Sequence, residues 1–280
     1  MTEPTCFKVS IENNVAHIVL NRPEAFNAMP RPFWNELPAI VHDINDDAKA
    51  RCIVISSTGK HFTAGMDISV FTDGDGVSAQ GGDPHTRAEA FRQFVLTLQG
   101  SFNCLDSARI PVIAAIQGGC IGAGVDMTSA CDIRFCTDDA FFQIAEINIG
   151  MTADVGTFPR LCKLIPEGWV RELAYSGRRL PAAKAKQIGL VNETFATQEA
   201  MLAHVMELAH EIATKAPVAV AGSKRMINHA RDHSIADGLD YIATWQAGMF
   251  SPPHMMEAFA AKAQKRDPNF PDLAPLRKKM

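Results

Sequence analysis

The first apolar residues of the chain fall into two short runs on either side of Asn13-Asn14, across residues 6–20, and that pair suits the turn of a β-hairpin. Pro23 ends the second run, because proline has no N–H to give to a ladder. Phe33, Leu37, Ile40, Val41 and Ile44 then recur at helical spacing and predict one buried helix face. Cys52-Ile-Val-Ile55 reads as a short buried strand. Residues 72–87 are rich in glycine, aspartate and serine and predict a loop. A helix follows from about Arg87 to Leu105, with Phe91, Val95, Leu98 and Phe102 on one side. Strand-like runs recur at 111–116, 132–136 and 140–144. This alternation of strand and helix predicts an α/β fold with helices packed on sheets. Helices are predicted from Pro166 to Gly177 and from Pro181 to Gly189, each closed by glycine. From Gln198 onward the strand pattern stops. Helices at 200–214, 218–230, 234–250 and 254–265 make the last third all helical, and Ser234 with Asp237 resembles a capping box.

Composition narrows the function classes. Of 280 residues, 47% are hydrophobic and 21% charged, an ordinary globular balance, and the formal charge of −4 gives no general pull toward nucleic acid. No secretory signal, membrane-length apolar run or Ser-Lys-Leu ending is seen, so a cytoplasmic protein without a membrane partner is expected. The seven cysteines contain no C-x-x-C pair and the nine histidines no H-E-x-x-H spacing, so no metal is expected. A G-x-S-x-G elbow is absent, which excludes a serine hydrolase of that type. The glycines at 118–124 have neither the Rossmann order nor the P-loop ending.

Chemistry concentrates between Gln117 and Thr157. A glycine-rich turn, Gly118-Gly-Cys-Ile-Gly-Ala-Gly124, follows an apolar strand and precedes a helix-compatible segment, Val125 to Ala130. That order aims free backbone N–H groups at a ligand, because the first N–H groups of a helix lack intrahelical partners. Three acids, Asp126, Glu146 and Asp154, follow in apolar surroundings, where a carboxylate is costly to bury unless paired, protonated or functional. Asp126 and Asp154 can equally be read as caps for helix or turn N–H groups. All three beside a possible anion site point toward proton chemistry.

Four landmarks in order resemble the crotonase (enoyl-CoA hydratase/isomerase) superfamily over essentially the whole chain. They are Asn21-Arg-Pro-Glu-Ala-Phe-Asn-Ala-Met29, Phe62-Thr-Ala-Gly-Met-Asp67, Gly118 to Asp126 and Ile188-Gly-Leu-Val-Asn192. The resemblance implies a crotonase-type spiral of ββα units over residues 1–197. It also implies an all-helical trimerisation region over 198–280, in a homotrimer or homohexamer. The substrate implied is an acyl-CoA thioester, with CoA part of the substrate and no separate cofactor. Its carbonyl oxygen would meet the backbone N–H groups of Met66 and Ala123. The CoA moiety would lie along Arg22, Ala25, Ala64 and Asp67, with Lys262 a candidate for its phosphates alongside Lys265 and Arg266.

The acid trio, with Cys131-Asp-Ile-Arg134, Ala140-Phe-Phe-Gln143 and Arg231-Asp-His-Ser234, most resembles the Δ3,5-Δ2,4-dienoyl-CoA isomerases of fatty-acid β-oxidation. That likeness implies that Glu146 takes a proton from C2, that protonated Asp154 delivers one to C6, and that Asp126 tunes the others. The alternatives within the superfamily are a 2-enoyl-CoA hydratase using Asp126 and Glu146, or a Δ3-Δ2-enoyl-CoA isomerase using Glu146 alone. A non-enzymatic CoA-ester binder or RNA-associated relative would lack the acids or carry a basic surface, and this chain does neither.

Overall fold

A computed structural model describes residues 4–72 and 83–276. The chain opens as the expected hairpin, β1 (Phe7–Glu12) and β2 (Val15–Leu20), turning through Asn13 and Asn14 at φ 49° and 62°. Asparagine tolerates these left-handed values better than most residues. A 3₁₀ turn (Pro23–Ala25) and α1 (Arg31–Asp46) lead to β3 (Cys52–Ser57). Beyond α2 (Ser69–Thr72) and α3 (Pro84–Ser107), the chain re-enters the same sheet as β4 (Val112–Ile116). Most of the loop expected at 72–87 lies outside the described residues. At its far end the helix begins earlier than expected, because Asp83 caps it through the N–H groups of His85 and Thr86.

From β4 onward, strands come in pairs that serve two sheets. β4 joins a large sheet and β5 (Gly119–Ile121) a small one, and α4 (Ala123–Ser129) follows. The next pair, β6 (Ile133–Thr137) and β7 (Phe141–Gln143), divides in the same way. A 3₁₀ turn (Glu146–Ile149), α5 (Thr157–Leu164) and α6 (Glu167–Ser176) come after it. Then β8 (Leu180–Pro181) closes the small sheet, and β9 (Glu193–Phe195), after α7 (Ala182–Gln187), closes the large one. The repeated pattern is the ββα spiral. The large sheet runs β1-β2-β3-β4-β6-β9, antiparallel at β1 and parallel elsewhere, and the small one β5-β7-β8.

The parallel centre of the large sheet, β3 and β4, is buried on both faces, while the antiparallel edge strand β1 is mostly exposed. Ile18, Ile53, Ile55, Val112 and Ala114 share the main core with Phe33, Leu37, Val41 and Ile44 of α1 and Phe102 and Leu105 of α3. The other face carries Val15, Val54, Ile113, Ala115 and Phe135. It is covered by Met201, Val205, Ala209 and Ala213 of α8 (Gln198–Ala213). The helical region therefore begins inside the sheet's own core. After it come α9 (Pro217–Asp232), α10 (Ile235–Met249) and α11 (Pro252–Gln264). The capping box at Ser234 and Asp237 is present in both halves.

Two buried cations tie this frame together. Lys224 of α9 donates to the carbonyls of Leu105 and Ile110 and to Asp132 Oδ2 at 2.8 Å, and Asp132 also accepts the Val112 N–H. Arg134 of β6 is 5% exposed and donates to the carbonyls of Leu190, Thr128 and Cys131. These contacts give the Cys131-Asp-Ile-Arg134 motif a structural role.

Candidate active site

A cavity of about 570 Å³ opens between α3, the first turn of α4 and the segment from Ala145 to Val155. Two backbone junctions form one wall. Met29 N–H bonds to Gly65 O and Asp67 N–H to Met29 O, so the Met66 N–H between them has no acceptor among the described residues. Ala123 is the first residue of α4, and its N–H has no acceptor there either. The two junctions are pressed together. A β-carbon on Gly65 (φ +87°) would stand 2.6 Å from Ile121 O and 3.4 Å from Ala123 N, so glycine is required. A parallel bridge between Thr63 and Cys120 holds this register.

The three acids converge on the same cavity. Asp126, in the first turn of α4, is 1% exposed. Its Oδ1 accepts from Thr157 N at 2.6 Å and Thr157 Oγ1 at 2.7 Å. Thr157 is the first residue of α5, so Asp126 serves as that helix's N-terminal partner across the chain. Burial pushes the Asp126 carboxyl up to about 7, against the lowering pull of the Thr157 hydroxyl and with further raising by Glu146.

Glu146 opens a 3₁₀ turn, and its Oε2 is buried with no hydrogen-bond partner among the described residues. Burial raises its pKa, and Asp154 raises it further. Gly122 (φ +52°) leaves room for this carboxylate, since a β-carbon there would lie 3.2 Å from Oε1. Asp154 is half-buried, its backbone carbonyl held by Gln99 Nε2 at 2.7 Å, and burial raises its pKa too. Three carboxyls whose pKa values are all raised by burial stand in one apolar cavity, an arrangement suited to proton transfer.

Four of the five expected CoA positions form one cluster beside Met66. Arg22 Nη1 donates to Ala28 O at 2.9 Å and lies 3.9 Å from Asp67 Oδ2. The Ser69 N–H and hydroxyl hold the Asp67 carboxyl below its usual range, with Arg22 adding to the effect. Ala25 ends the first 3₁₀ turn, and Ala64 donates its N–H to Phe26 O and lines the cavity. Lys262 lies elsewhere, in a separate cavity with Trp245 and His254, and Arg266 beside it pairs with Glu257 at 2.6 Å.

The sequence reading did not single out Phe94, Ile149, Met151 or Thr152, which also line the acyl-sized cavity. Phe91, Val95 and Leu98 were legible as one face of a helix but not as a cavity wall. Thr157 was missed as the partner of Asp126, because a contact across 31 positions leaves no local signal.

The sequence model of the enoyl-CoA hydratase/isomerase family matches residues 10–273. The chain belongs to this family. A mitochondrial Δ3,5-Δ2,4-dienoyl-CoA isomerase from Mus musculus is 43% identical over 92% of this chain and 79% of its own length. A peroxisomal Δ3,5-Δ2,4-dienoyl-CoA isomerase from Arabidopsis thaliana is 36% identical over 94% of each chain. Among solved structures, an enoyl-CoA hydratase from Bacillus anthracis is 27% identical with a TM-score of 0.84, covering 95% of this chain and 99% of that one. The ββα spiral with its helical C-terminal region is thus the crotonase fold, and the isomerases extend the likeness beyond fold to sequence.

Proposed function

We propose that the protein isomerises 3,5-dienoyl-CoA to 2,4-dienoyl-CoA by moving a proton from C2 to C6 through a thioester dienolate. One observation carries the reading over its rivals: Asp154 stands in the wall of the same apolar cavity as Glu146, beside two unclaimed backbone N–H groups. Glu146, with its unpartnered Oε2, takes the proton from C2. The electron pair spreads over the diene and the thioester oxygen, which the Met66 and Ala123 N–H groups receive. Donors fixed where charge develops contribute about 3–4 kcal/mol each. Protonated Asp154 then delivers its proton to C6. Asp126, whose carboxyl Glu146 raises by charge and one of whose oxygens Thr157 occupies, tunes the other two acids. No metal or redox cofactor is required, because the thioester supplies the acidity.

The CoA moiety binds along Arg22, Ala25, Ala64 and Asp67. Lys262 reaches CoA phosphates only from another copy of the chain, within a homotrimer or homohexamer. Exposed apolar residues on α10 and α11, among them Ile235, Leu239, Met256 and Phe259, support such an assembly. Among the described residues no helix is long and apolar enough to cross a membrane. A cytoplasmic location is part of the proposal, and fractionation of the source cell tests it against the mitochondrial and peroxisomal settings of the named relatives.

The deciding assay follows ultraviolet absorbance of the protein mixed with a 3,5-dienoyl-CoA, in parallel with hydration of a 2-enoyl-CoA. Growth of the conjugated 2,4-dienoyl band with slow or no hydration is expected. Fast hydration without diene formation would transfer the protein to the hydratases and leave Asp154 structural.

A further inference from the structure

A second cavity, of about 340 Å³, lies behind Asp154. Asp154 and Val155 line both this cavity and the acyl-sized one, so this pair forms the partition between them. The two chambers differ in chemistry. Apart from its three acids, the acyl chamber is walled largely by Phe, Val, Leu, Ile and Met side chains. The rear chamber is walled by Gln99, Asn103, Asp106, Arg160, Arg231 and Asp232. Its polar groups are held in place: Arg231 grips Asp106 through two bonds of 3.1 and 3.2 Å, and Arg160 donates to Asn103 Oδ1. Asn103 is exposed, so the chamber reaches the surface along α3. A polar space of this size accommodates several water molecules. Arg231 and Asp232 belong to the Arg231-Asp-His-Ser234 motif, for which the chemistry described so far has no use.

Proton accounting gives the chamber a task, on the isomerase reading of the first site. Each turnover breaks a C2–H bond and leaves Glu146 protonated, and it forms a C6–H bond and leaves Asp154 ionised. Before the next turnover Glu146 must lose one proton and Asp154 must gain one. We propose that the rear polar cavity is the proton route to Asp154, reloading it from bulk water on the side away from the acyl chain. An apolar chain seated in the front chamber displaces water there, whereas the rear chamber stays open to solvent. Arg160 and Arg231 are then positioning residues that keep the route polar, Asn103 only marks its exposed mouth, and none of the three touches substrate.

The test uses a 3,5-dienoyl-CoA carrying two deuterium atoms at C2, turned over many times in ordinary water, with the product weighed by mass spectrometry. Wild-type protein is expected to give product with one deuterium, because C6 receives a solvent proton. Asn103→Trp places a large side chain at the exposed mouth of the rear cavity. It is expected to lower kcat with KM near wild type and to leave a second deuterium in the product, passed from Glu146 to Asp154 internally. Asn103→Ala loses the same bond to Arg160 without a plug and is expected to behave as wild type. Two deuterium atoms in the wild-type product would overturn the route. Wild-type kcat and a single deuterium in a folded Asn103→Trp protein would overturn it as well. Absence of any diene from the wild type would overturn the isomerase reading and this inference together.

Discussion

Asp126 is caught between two demands. Its Oδ1 satisfies two donors of Thr157, yet the side chain is 1% exposed and faces Glu146 across the cavity. An unfolded aspartate titrates near 3.8, while this one is pushed up to about 7 in the fold. Between those values the folded state holds a proton that the unfolded state has released, so stability falls as pH rises from about 4 to about 7. The full penalty, reached above the folded pKa, is roughly 4 kcal/mol. An asparagine at this position would keep the acceptor oxygen for Thr157 and lose the titration. Asp126→Asn is therefore expected to flatten the decline in denaturant stability over that range. A decline as steep as in wild type would show that the group does not titrate there.

Among the described residues Asp154 accepts no comparable helix N–H groups, so its replacement breaks no such cap. Asp154→Asn is expected to slow diene formation on the order of 10²–10⁴-fold with unfolding unchanged. Isomerisation at the wild-type rate would remove Asp154 from the reaction. In the sequence both aspartates allowed the same pair of readings, cap or chemistry. The structure makes Asp126 a cap as well as a cavity acid, a combination that only the long-range contact with Thr157 could reveal.

At the scale of elements, those with a long period were legible: α1, α3 and the four C-terminal helices, together with the hairpin. The elements missed were short and made by their neighbours. β5 is three residues inside a glycine run, and β8 is two residues containing Pro181, so neither carries a pattern of its own. Pro159 hid α5, yet it occupies the first turn, where a missing N–H costs nothing. The buried Lys224 was equally silent, since α9 reads as an ordinary helix around it. Removing that cation leaves the half-buried Asp132 without its ion-pair partner, in a site where burial already raises the carboxyl despite Lys224. Lys224→Met is expected to destabilise the fold by about 3–5 kcal/mol in denaturant titration, and a second change, Asp132→Asn, should restore part of it. A loss below about 1 kcal/mol would mean that the pair contributes little to holding α9 against the sheet.

For the molecule as a whole, the outer helices present more apolar surface than the sheets do. Ile235 is 84% exposed and Leu239 64% on α10, and Phe259 is 60% exposed on α11. The resemblance anticipated assembly in this region, whereas helical periodicity alone could not tell an interface from a core. If the proposed assembly forms through α10, Leu239→Asp is expected to reduce the mass measured by light scattering to that of one chain. An unchanged mass would take Leu239 out of any such contact.

Neither Met66 nor Ala123 offers a side-chain atom to the pair of N–H groups facing the cavity, so ordinary substitution cannot erase them. Proline is the exception, having no amide hydrogen, and position 123 is the first residue of α4, where a helix accepts proline readily. Gly122 before it, already at φ 52° and ψ −119°, lies outside the helical region that a following proline forbids. Ala123→Pro therefore replaces that amide hydrogen with a ring methylene while leaving the backbone path intact. If that hydrogen faces the developing oxyanion, kcat should fall on the order of 10²–10³-fold while the protein melts as before.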